Sequence, residues 1–267
     1  YKKEGMMVDD GMLARLMLRA KELGAMINIH AENPDLIDYY TEKFLSEGKT
    51  SAWYHYMSRP EFVEAEADKR AVHWAKHLDA PLYLVHMADK EGLEACIEAK
   101  EEGADVFVET CPQYLLLDDS VYAKPDFQGA VYVCAPPIRK KEDQKCLWKA
   151  LAEEELQTIA TDQCSFTLAQ KALGKDDFTK IPGGLPGVQT RGTLLYTYGV
   201  CEGRITQEQM CKFLSENPAK LYGVYPQKGV IAPGSDADIV LIRKKKAQFR
   251  LRHMRIILTT IHSRDLN

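Results

Sequence analysis

The stretch PLYLVHMADKEGLEACIEAKEEGADVFVET, residues 81–110, contains two short apolar runs separated by a helix-like segment. Residues 82–85 and 106–109 are rich in β-forming side chains, whereas residues 91–102 can form a helix that Gly103 ends. A strand, a helix and a second strand within about thirty residues make a βαβ unit, which implies parallel strands. The stretch therefore predicts an α/β fold.

The same alternation continues on both sides of this unit. Further strands are predicted at residues 25–29, 131–134 and 158–161, and further helices at 10–23, 34–47, 61–78, 143–152, 190–202 and 206–215. Loops are predicted at residues 48–60 and 173–187, and a turn followed by a strand at residues 229–242. This order favours one parallel α/β barrel over two small domains.

Three potential metal ligands lie just after predicted strands. His30, His86 and Asp162 follow the runs at 25–29, 82–85 and 158–161. In a parallel α/β barrel, the carboxyl ends of the strands converge on one face, where active sites are built. Two imidazoles and a carboxylate suit a divalent cation of the zinc type. The pattern indicates metal-assisted hydrolysis.

Each of these residues also has an ordinary structural interpretation. A single histidine after a strand is more often a hydrogen-bonded structural residue, and Asp162 could be a helix cap or a turn residue. His73 and His77 are four residues apart on a predicted helix, but a solvated helix face explains them better than a metal site does. Cys111 and Cys164 lie near strand ends without an evident base, so packing is favoured over nucleophilic roles.

Composition excludes several classes of protein. With 45% hydrophobic residues, the 267-residue chain can bury a large core, and no apolar run is long enough for a membrane span. The seven scattered cysteines include no Cys-x-x-Cys pair, which favours reduced thiols and a cytoplasmic location. Residues 243–267 carry a net charge of +7, so residues 1–242 carry −11. An acidic body makes nucleic-acid binding unexpected.

Seven segments together resemble the dihydropyrimidinase/D-hydantoinase branch of the cyclic amidohydrolases. They are residues 30–33 (HAEN), 85–87 (VHM), 109–115 (ETCPQYL), 135–139 (APPIR), 161–164 (TDQC), 175–182 (KDDFTKIP) and 234–240 (GSDADIV). The resemblance covers about residues 1–242. As a set these motifs are far more diagnostic than any one of them.

The resemblance implies a TIM-type (β/α)8 barrel with two zinc ions, bridged by a carbamylated lysine and a hydroxide. His30 and His86 resemble ligands of one ion, and Asp162 resembles a ligand of the other that also acts as the base. Tyr1 resembles the tyrosine that stabilises the oxyanion, while Ala135 and Gly183 occupy positions where backbone groups hold the substrate. The implied reaction opens a dihydropyrimidine or 5-substituted hydantoin ring to an N-carbamoyl amino acid.

The chain also departs from the family's pattern. It has no counterpart of the His-x-His pair on the first barrel strand, and the bridging lysine is expected upstream of Tyr1. Ala135 and Gly183 stand where serine and asparagine are common. We therefore expect residues 1–228 to be the C-terminal portion of a barrel that is incomplete and inactive alone. Residues 229–242 would then be a return strand of a small β-sandwich domain.

The last expectations concern the basic C-terminal residues and the partners of the protein. Residues 243–267 depart from the family, and out-of-frame sequence or a solvated basic tail would explain them. The resemblance implies a small cyclic amide as substrate and a homotetramer at full length, with neither nucleic acid nor membrane as a partner. Two rival interpretations remain open: a dihydropyrimidinase-like scaffold protein without activity, and another ring-opening enzyme such as allantoinase.

Overall fold

One parallel sheet is the centre of the fold. A computed structural model describes residues 5–242, and the four strands in them lie side by side in chain order. They are β1 (Ile27–Ile29), β2 (Leu82–Leu84), β3 (Val106–Thr110) and β4 (Thr158–Ile159). Leu82 is in register with Ile27 on one side and with Val106 on the other. Sequential parallel strands joined by crossovers form the wall of an α/β barrel, so the parallel α/β prediction is confirmed.

Helices connect the strands and cover the sheet. The principal ones are α1 (Asp10–Glu22), α2 (Pro34–Ser46), α3 (Trp53–Met57), α4 (Glu61–Leu78), α5 (Lys90–Glu101), α6 (Pro112–Leu116) and α7 (Lys141–Ala152). Local sequence explains where α1 begins and ends. Oδ1 of Asp9 accepts the backbone N–H of Met12 at 2.7 Å, and Gly24 follows the helix with φ +63°. None of the helices described is long and apolar enough to span a bilayer.

Two apolar cores support the sheet. The larger lies between the strands and helices α4, α5 and α7, and it includes Leu82, Leu93 and Leu147. The second is aromatic and lies around Phe44, Tyr56, Tyr122, Ile138 and Phe178. The second core therefore holds together α2, α3 and the loop that contains Phe178.

Two predicted elements are wrong for the same reason. The strand predicted at 131–134 is instead a 3₁₀ helix, Gln128–Tyr132, followed by extended backbone. The loop predicted at 48–60 contains helix α3. In both places apolar and aromatic side chains pack into the second core and not against a neighbouring strand. A short apolar run alone does not distinguish these two forms of burial.

The later part of the chain is only partly as predicted. After the short helix α8 (Leu168–Lys171), residues 173–187 are largely irregular, as expected, with 3₁₀ turns at Ala172–Gly174 and Phe178–Lys180. The predicted helix at 190–202 is confirmed over α9 (Arg191–Leu194) and a π-helical continuation, Leu195–Val200. The one predicted at 206–215 continues to residue 221, through α10 (Gln207–Cys211), Lys212–Glu216 and α11 (Asn217–Leu221).

Residues 229–242 form the predicted turn but not the predicted strand. The backbone N–H of Ser235 donates to Ala232 at 3.1 Å, and Gly234 has φ +92°. After this turn, residues 236–242 have no sheet partner within the described chain. A strand needs a neighbour to satisfy its backbone groups. Membership of a small β domain therefore stays a prediction.

Three buried carboxyl groups, those of Glu64, Asp68 and Asp89, lie between α4 and α5. Their donor oxygens lie within 4.8 Å of one another, a spacing that could hold a cation. Oδ2 of each aspartate has no hydrogen-bond partner among the residues described. Arg139 already supplies positive charge, because its Nη2 donates to Glu64 at 2.7 Å. Burial, Glu64 and Asp89 raise the pKa of Asp68, and burial raises that of Asp89 to about 6. We therefore favour a proton shared by the aspartates.

The Asp68→Asn variant should have a free energy of unfolding about 1–3 kcal/mol higher than the parent at about pH 8. Because the folded chain binds the Asp68 proton more tightly than the unfolded chain does, stability falls as pH rises from about 4 through the folded-state pKa. Asparagine has no proton to lose, and its amide can donate to Asp89. Urea denaturation at about pH 5 and about pH 8 measures this.

The matched control is Asp176→Asn, because Asp176 is exposed. This control should change stability by less than about 0.5 kcal/mol at either pH. A loss of stability in Asp68→Asn that is greater at the higher pH would contradict the shared proton.

Candidate metal centre

The predicted ligands lie at the carboxyl edge of the sheet. His30 follows β1, His86 lies two residues after β2, and Asp162 lies three residues after β4. His86 and Asp162 have φ values of +45° and +46°, a region that residues other than glycine rarely adopt. Strained backbone of this kind persists where surrounding contacts hold it, and it is concentrated at functional sites. Two of the three candidate ligands, His86 and Asp162, therefore have the strained backbone that is common at functional sites.

The structure brings the two histidines into direct contact. Nδ1 of His30 and Nε2 of His86 are 2.8 Å apart, and the ring centroids are 4.6 Å apart at an interplanar angle of 75°. His86 is buried, while His30 retains some solvent contact. Two imidazole nitrogens that face each other across so short a distance need either a shared proton or a shared cation.

Glu32 determines which nitrogen of His30 is available. Its Oε2 accepts a hydrogen bond from Nε2 of His30 at 2.9 Å and one from Nη1 of Arg59 at 2.6 Å. Burial alone would raise the pKa of Glu32, but Arg59 and His30 together hold it well below its usual range. An ionised carboxylate only accepts, so Nε2 of His30 carries a hydrogen, and Nδ1 is the nitrogen that faces His86. Carboxylates commonly orient metal-binding histidines in this way.

Burial and the neighbouring His30 keep His86 neutral, because they lower its pKa to about 3. Its backbone N–H donates to Oε1 of Glu109 at 3.2 Å, and Oε2 of Glu109 accepts from the Tyr83 hydroxyl at 2.7 Å. A neutral imidazole is the form that binds metal ions. The donor chemistry of the histidine pair therefore fits a cation of the zinc type.

Asp162 does not form a compact set of three with the histidines. Within residues 5–242, Glu64, Asp68 and Asp89 are the only such set whose donor atoms all lie within 4.8 Å. Asp162 is nevertheless close enough to be affected by the histidine pair: desolvation raises its pKa, and His30 opposes that rise.

The two predicted substrate-binding positions lie on adjacent segments. The backbone N–H of Gly184 donates to Val133 at 2.9 Å, and a Cβ built on Gly183 would lie 3.9 Å from Cα of Cys134, the residue before Ala135. The buried ammonium of Lys171 joins both segments by donating to Val133 at 2.9 Å and to Gly184 at 3.1 Å. The structure thus brings these backbone groups together. Tyr1, the predicted oxyanion partner, lies outside the described residues.

The Gly183–Ala135 region is also connected to the Asp162 loop. The backbone N–H of Cys164 donates to Leu185 at 3.0 Å, and Oε1 of Gln163 accepts from Gly187 at 2.7 Å. The segments that contain Ala135, Gly183 and Asp162 are therefore joined by backbone and side-chain hydrogen bonds.

Four residues near the candidate ligands were not predicted from the sequence to have a role: Glu32, Arg59, Glu109 and Arg139. Glu32 and Glu109 lie inside motifs that carry the resemblance, two residues after His30 and one residue before the end of β3. A search for carboxylates near candidate histidines could have found Glu32, because metal-binding histidines are usually oriented by such a group. Arg59 gave no local signal, and Arg139 gave none beyond its place in the motif at residues 135–139. The other histidine pair, His73 and His77, is exposed on α4 with ring centroids 4.3 Å apart, as expected for a solvated face.

Comparison with known proteins now decides the family. A model of the amidohydrolase family matches residues 2–263. The chain belongs to the amidohydrolase family. This family is metal-dependent, and its structural neighbours have the TIM barrel that the four-stranded wall represents in part. The match extends into residues 243–267, which lie outside the described structure, so their aberrant origin stays a prediction.

Among curated amidohydrolases, the chain is similar to D-hydantoinases. It is 47% identical to that of Geobacillus stearothermophilus over 240 residues, covering 90% of this chain and 51% of the relative. It is 46% identical to that of Streptomyces coelicolor, covering 87% and 50%. A solved dihydropyrimidinase from Brevibacillus agri superposes with a TM-score of 0.87 at 47% identity, covering 88% and 51%. The chain spans about half the length of these relatives.

The importance of Glu32 can be tested by metal binding. Measurements that need a whole barrel use the joined protein, in which this chain is fused to the part of the Geobacillus D-hydantoinase that it does not match. Glu32→Gln should weaken zinc binding by about 10–100-fold, because it removes the charge that orients His30. Competition with a chromophoric chelator measures the affinity. Glu47→Gln, which changes an exposed carboxylate paired with Lys49, is the control. Equal zinc affinities for the two variants would contradict this role.

Proposed function

We propose that the whole protein hydrolyses the cyclic amide bond of dihydropyrimidines or 5-substituted hydantoins, giving N-carbamoyl amino acids. The observation that carries this proposal is the His30–His86 pair, held by Glu32 at the carboxyl edge of a barrel sheet. The relatives' names, D-hydantoinase and dihydropyrimidinase, supply the substrate class. An orienting carboxylate on a histidine pair is what a metal-dependent hydrolase requires.

The proposed cofactor is a pair of zinc ions, which a carbamylated lysine of the whole protein would help to hold. His30 and His86 would hold one ion through the two nitrogens that face each other, and Asp162 would help to hold the other. When bound, zinc lowers the pKa of a water molecule to about 7 and polarises the carbonyl that is attacked.

Asp162 is the proposed proton carrier. Its position at the carboxyl edge of the sheet, three residues after β4, supports this role, because a carboxylate there can accept a proton from water and release it again. It would take the proton of the attacking water and pass it to the departing ring nitrogen. Such transfer is typically worth about 10²–10⁴ in rate.

Backbone groups would orient the ring. Ala135 and Gly183 lie on segments joined by the Gly184–Val133 hydrogen bond, so main-chain groups of both can face one planar cyclic diamide. Tyr1 would donate to the oxygen that becomes negatively charged, a contribution of the oxyanion-hole type. Because only main-chain atoms are needed, alanine and glycine can replace the serine and asparagine that are common there.

The two rival interpretations have less support. A scaffold protein without activity would not need the Glu32–His30–His86 arrangement, and the curated relatives reported above are named as hydantoinases. Allantoin opening would use the same chemistry on a related ring, so substrate comparison must separate it from hydantoin opening. A homotetrameric assembly and a cytoplasmic location belong to the same proposal.

The joined protein should open hydantoin and dihydrouracil, and Asp162→Asn should reduce kcat at least about 100-fold because the proton carrier is lost. Ultraviolet absorbance of the ring and chromatography of the N-carbamoyl product measure turnover. Zinc content of each variant is measured in parallel, and Asp176→Asn is the control.

Three results of this experiment would count against the proposal. Unchanged hydrolysis in Asp162→Asn would refute the assignment of Asp162. Turnover of allantoin in preference to hydantoin would favour the allantoinase alternative. A folded joined protein that opens none of these rings would favour the scaffold alternative.

A further inference from the structure

We infer that Arg139 is a positioning residue that holds the His30 and His86 rings in their mutual arrangement by joining the support of one histidine to that of the other. This inference rests on the proposed metal centre, since it concerns the two residues proposed to hold one ion. It assigns no contact with substrate to Arg139.

On the His86 side, Arg139 acts through Glu64. Nη2 and Nε of Arg139 donate to Oε2 of Glu64 at 2.7 and 3.1 Å. Oε1 of Glu64 in turn accepts the backbone N–H of Ala88 at 2.9 Å. Ala88 lies two residues after His86, in the turn where His86 has φ +45°. Glu64 therefore holds the backbone that aims the His86 ring, and Arg139 holds Glu64.

On the His30 side, the same guanidinium acts through Arg59. Nη1 of Arg139 donates to the backbone carbonyl of Arg59 at 2.5 Å. The side chain of Arg59 donates to Glu32 at 2.6 Å, and Glu32 accepts from His30 at 2.9 Å. Each contact between residues in this series is a direct hydrogen bond, and within Arg59 the side chain joins the backbone carbonyl to the guanidinium. The two series meet at one residue, Arg139.

Only arginine suits this position. Its planar guanidinium presents N–H groups in several fixed directions, two of which reach Glu64 while a third reaches the Arg59 carbonyl. Lysine has a compact ammonium group that cannot span both partners. Arg139 is 2% exposed, and although burial opposes its charge, Glu64 and Asp89 hold its pKa above the usual range. The guanidinium is therefore fixed and charged.

A simpler role would be to neutralise the buried carboxyl groups of Glu64, Asp68 and Asp89. In that case its loss would lower stability without affecting the histidines. The two roles differ in what a charge-conserving substitution does. Arg139→Lys retains the positive charge but loses the geometry, so only the positioning role predicts a change in metal affinity.

The experiment measures zinc affinity of the joined protein by chelator competition, together with its melting temperature. Arg139→Lys should weaken zinc binding by about 10–100-fold, the usual effect of losing support behind a ligand. Arg19→Lys, at an exposed position paired with Glu22, is the matched control and should leave the affinity unchanged. If Arg139→Lys folds poorly, Glu64→Gln provides the second test, because glutamine can still accept from Ala88 but loses the ion pair.

A double-mutant cycle separates positioning from stability. Arg139→Lys combined with Glu32→Gln should weaken zinc binding by less than the product of the two single effects, because both act through His30. The visible spectrum of the cobalt-loaded joined protein should also change in Arg139→Lys and not in Arg19→Lys, because it reports the geometry of the ligands.

Three outcomes overturn the inference. The first is an affinity within twofold of the parent in both Arg139→Lys and Glu64→Gln, whatever the melting temperature. The second is full additivity with Glu32→Gln. The third is a His30→Ala variant that binds zinc as tightly as the parent, which would also remove the metal centre of the proposed function. If the parent joined protein opens no ring, but Arg139→Lys and Glu64→Gln still weaken its zinc binding, the proposed function is refuted and this inference is not.

Discussion

The contact between Nδ1 of His30 and Nε2 of His86 is the interaction on which the arrangement of buried charge depends. At 2.8 Å the two imidazoles cannot both be charged, and burial already disfavours charge on His86. The pair is stable there only if its hydrogen positions are fixed, and the ionised Glu32 fixes one of them by accepting from Nε2 of His30. Glu32 is itself almost fully buried, so it needs Arg59 to remain charged. The local chemistry of one histidine thus requires two further charged residues.

Buried charges deeper in the protein also need partners of opposite charge. Glu64, Asp68 and Asp89 lie together beneath the His86 turn with Arg139 as their principal positive partner. Removing one partner of a buried charge pair is strongly destabilising, whereas the complete pair is close to neutral for stability. A network of this kind adds little to the free energy of folding. Its main effect is to hold the groups that it connects in one geometry. Because the network lies directly behind two candidate ligands, we interpret it as a support that holds those ligands in place.

The regular parts of the fold could be predicted because their signals are local. Strands β1, β2 and β3 and helices α1, α4 and α5 follow from apolar period, end residues such as Asp9 and Gly103, and run length. The strand at 131–134 was wrong because its apolar residues fill the aromatic core beside Tyr122, which no local pattern records. The strand at 236–242 was not observed because a strand is defined by a neighbour and not by its own residues.

The residues of the candidate site also differ in whether local sequence could predict them. The position of His30, His86 and Asp162 at one edge could be predicted because a strand end is a local property and the carboxyl edge of a parallel sheet gathers such ends. Arg59 and Arg139 could not, because their partners Glu32 and Glu64 are 27 and 75 residues away. The left-handed backbone at His86 and Asp162 has the same long-range origin. Each such residue costs of order 1–3 kcal/mol, so distant contacts must over-determine it. For His86 these are the bonds from its own N–H to Glu109 and from Ala88 to Glu64, on two different elements. A ring that two elements must aim depends on the packing of both, which is why the residues that govern the site extend well beyond those that would touch a metal ion.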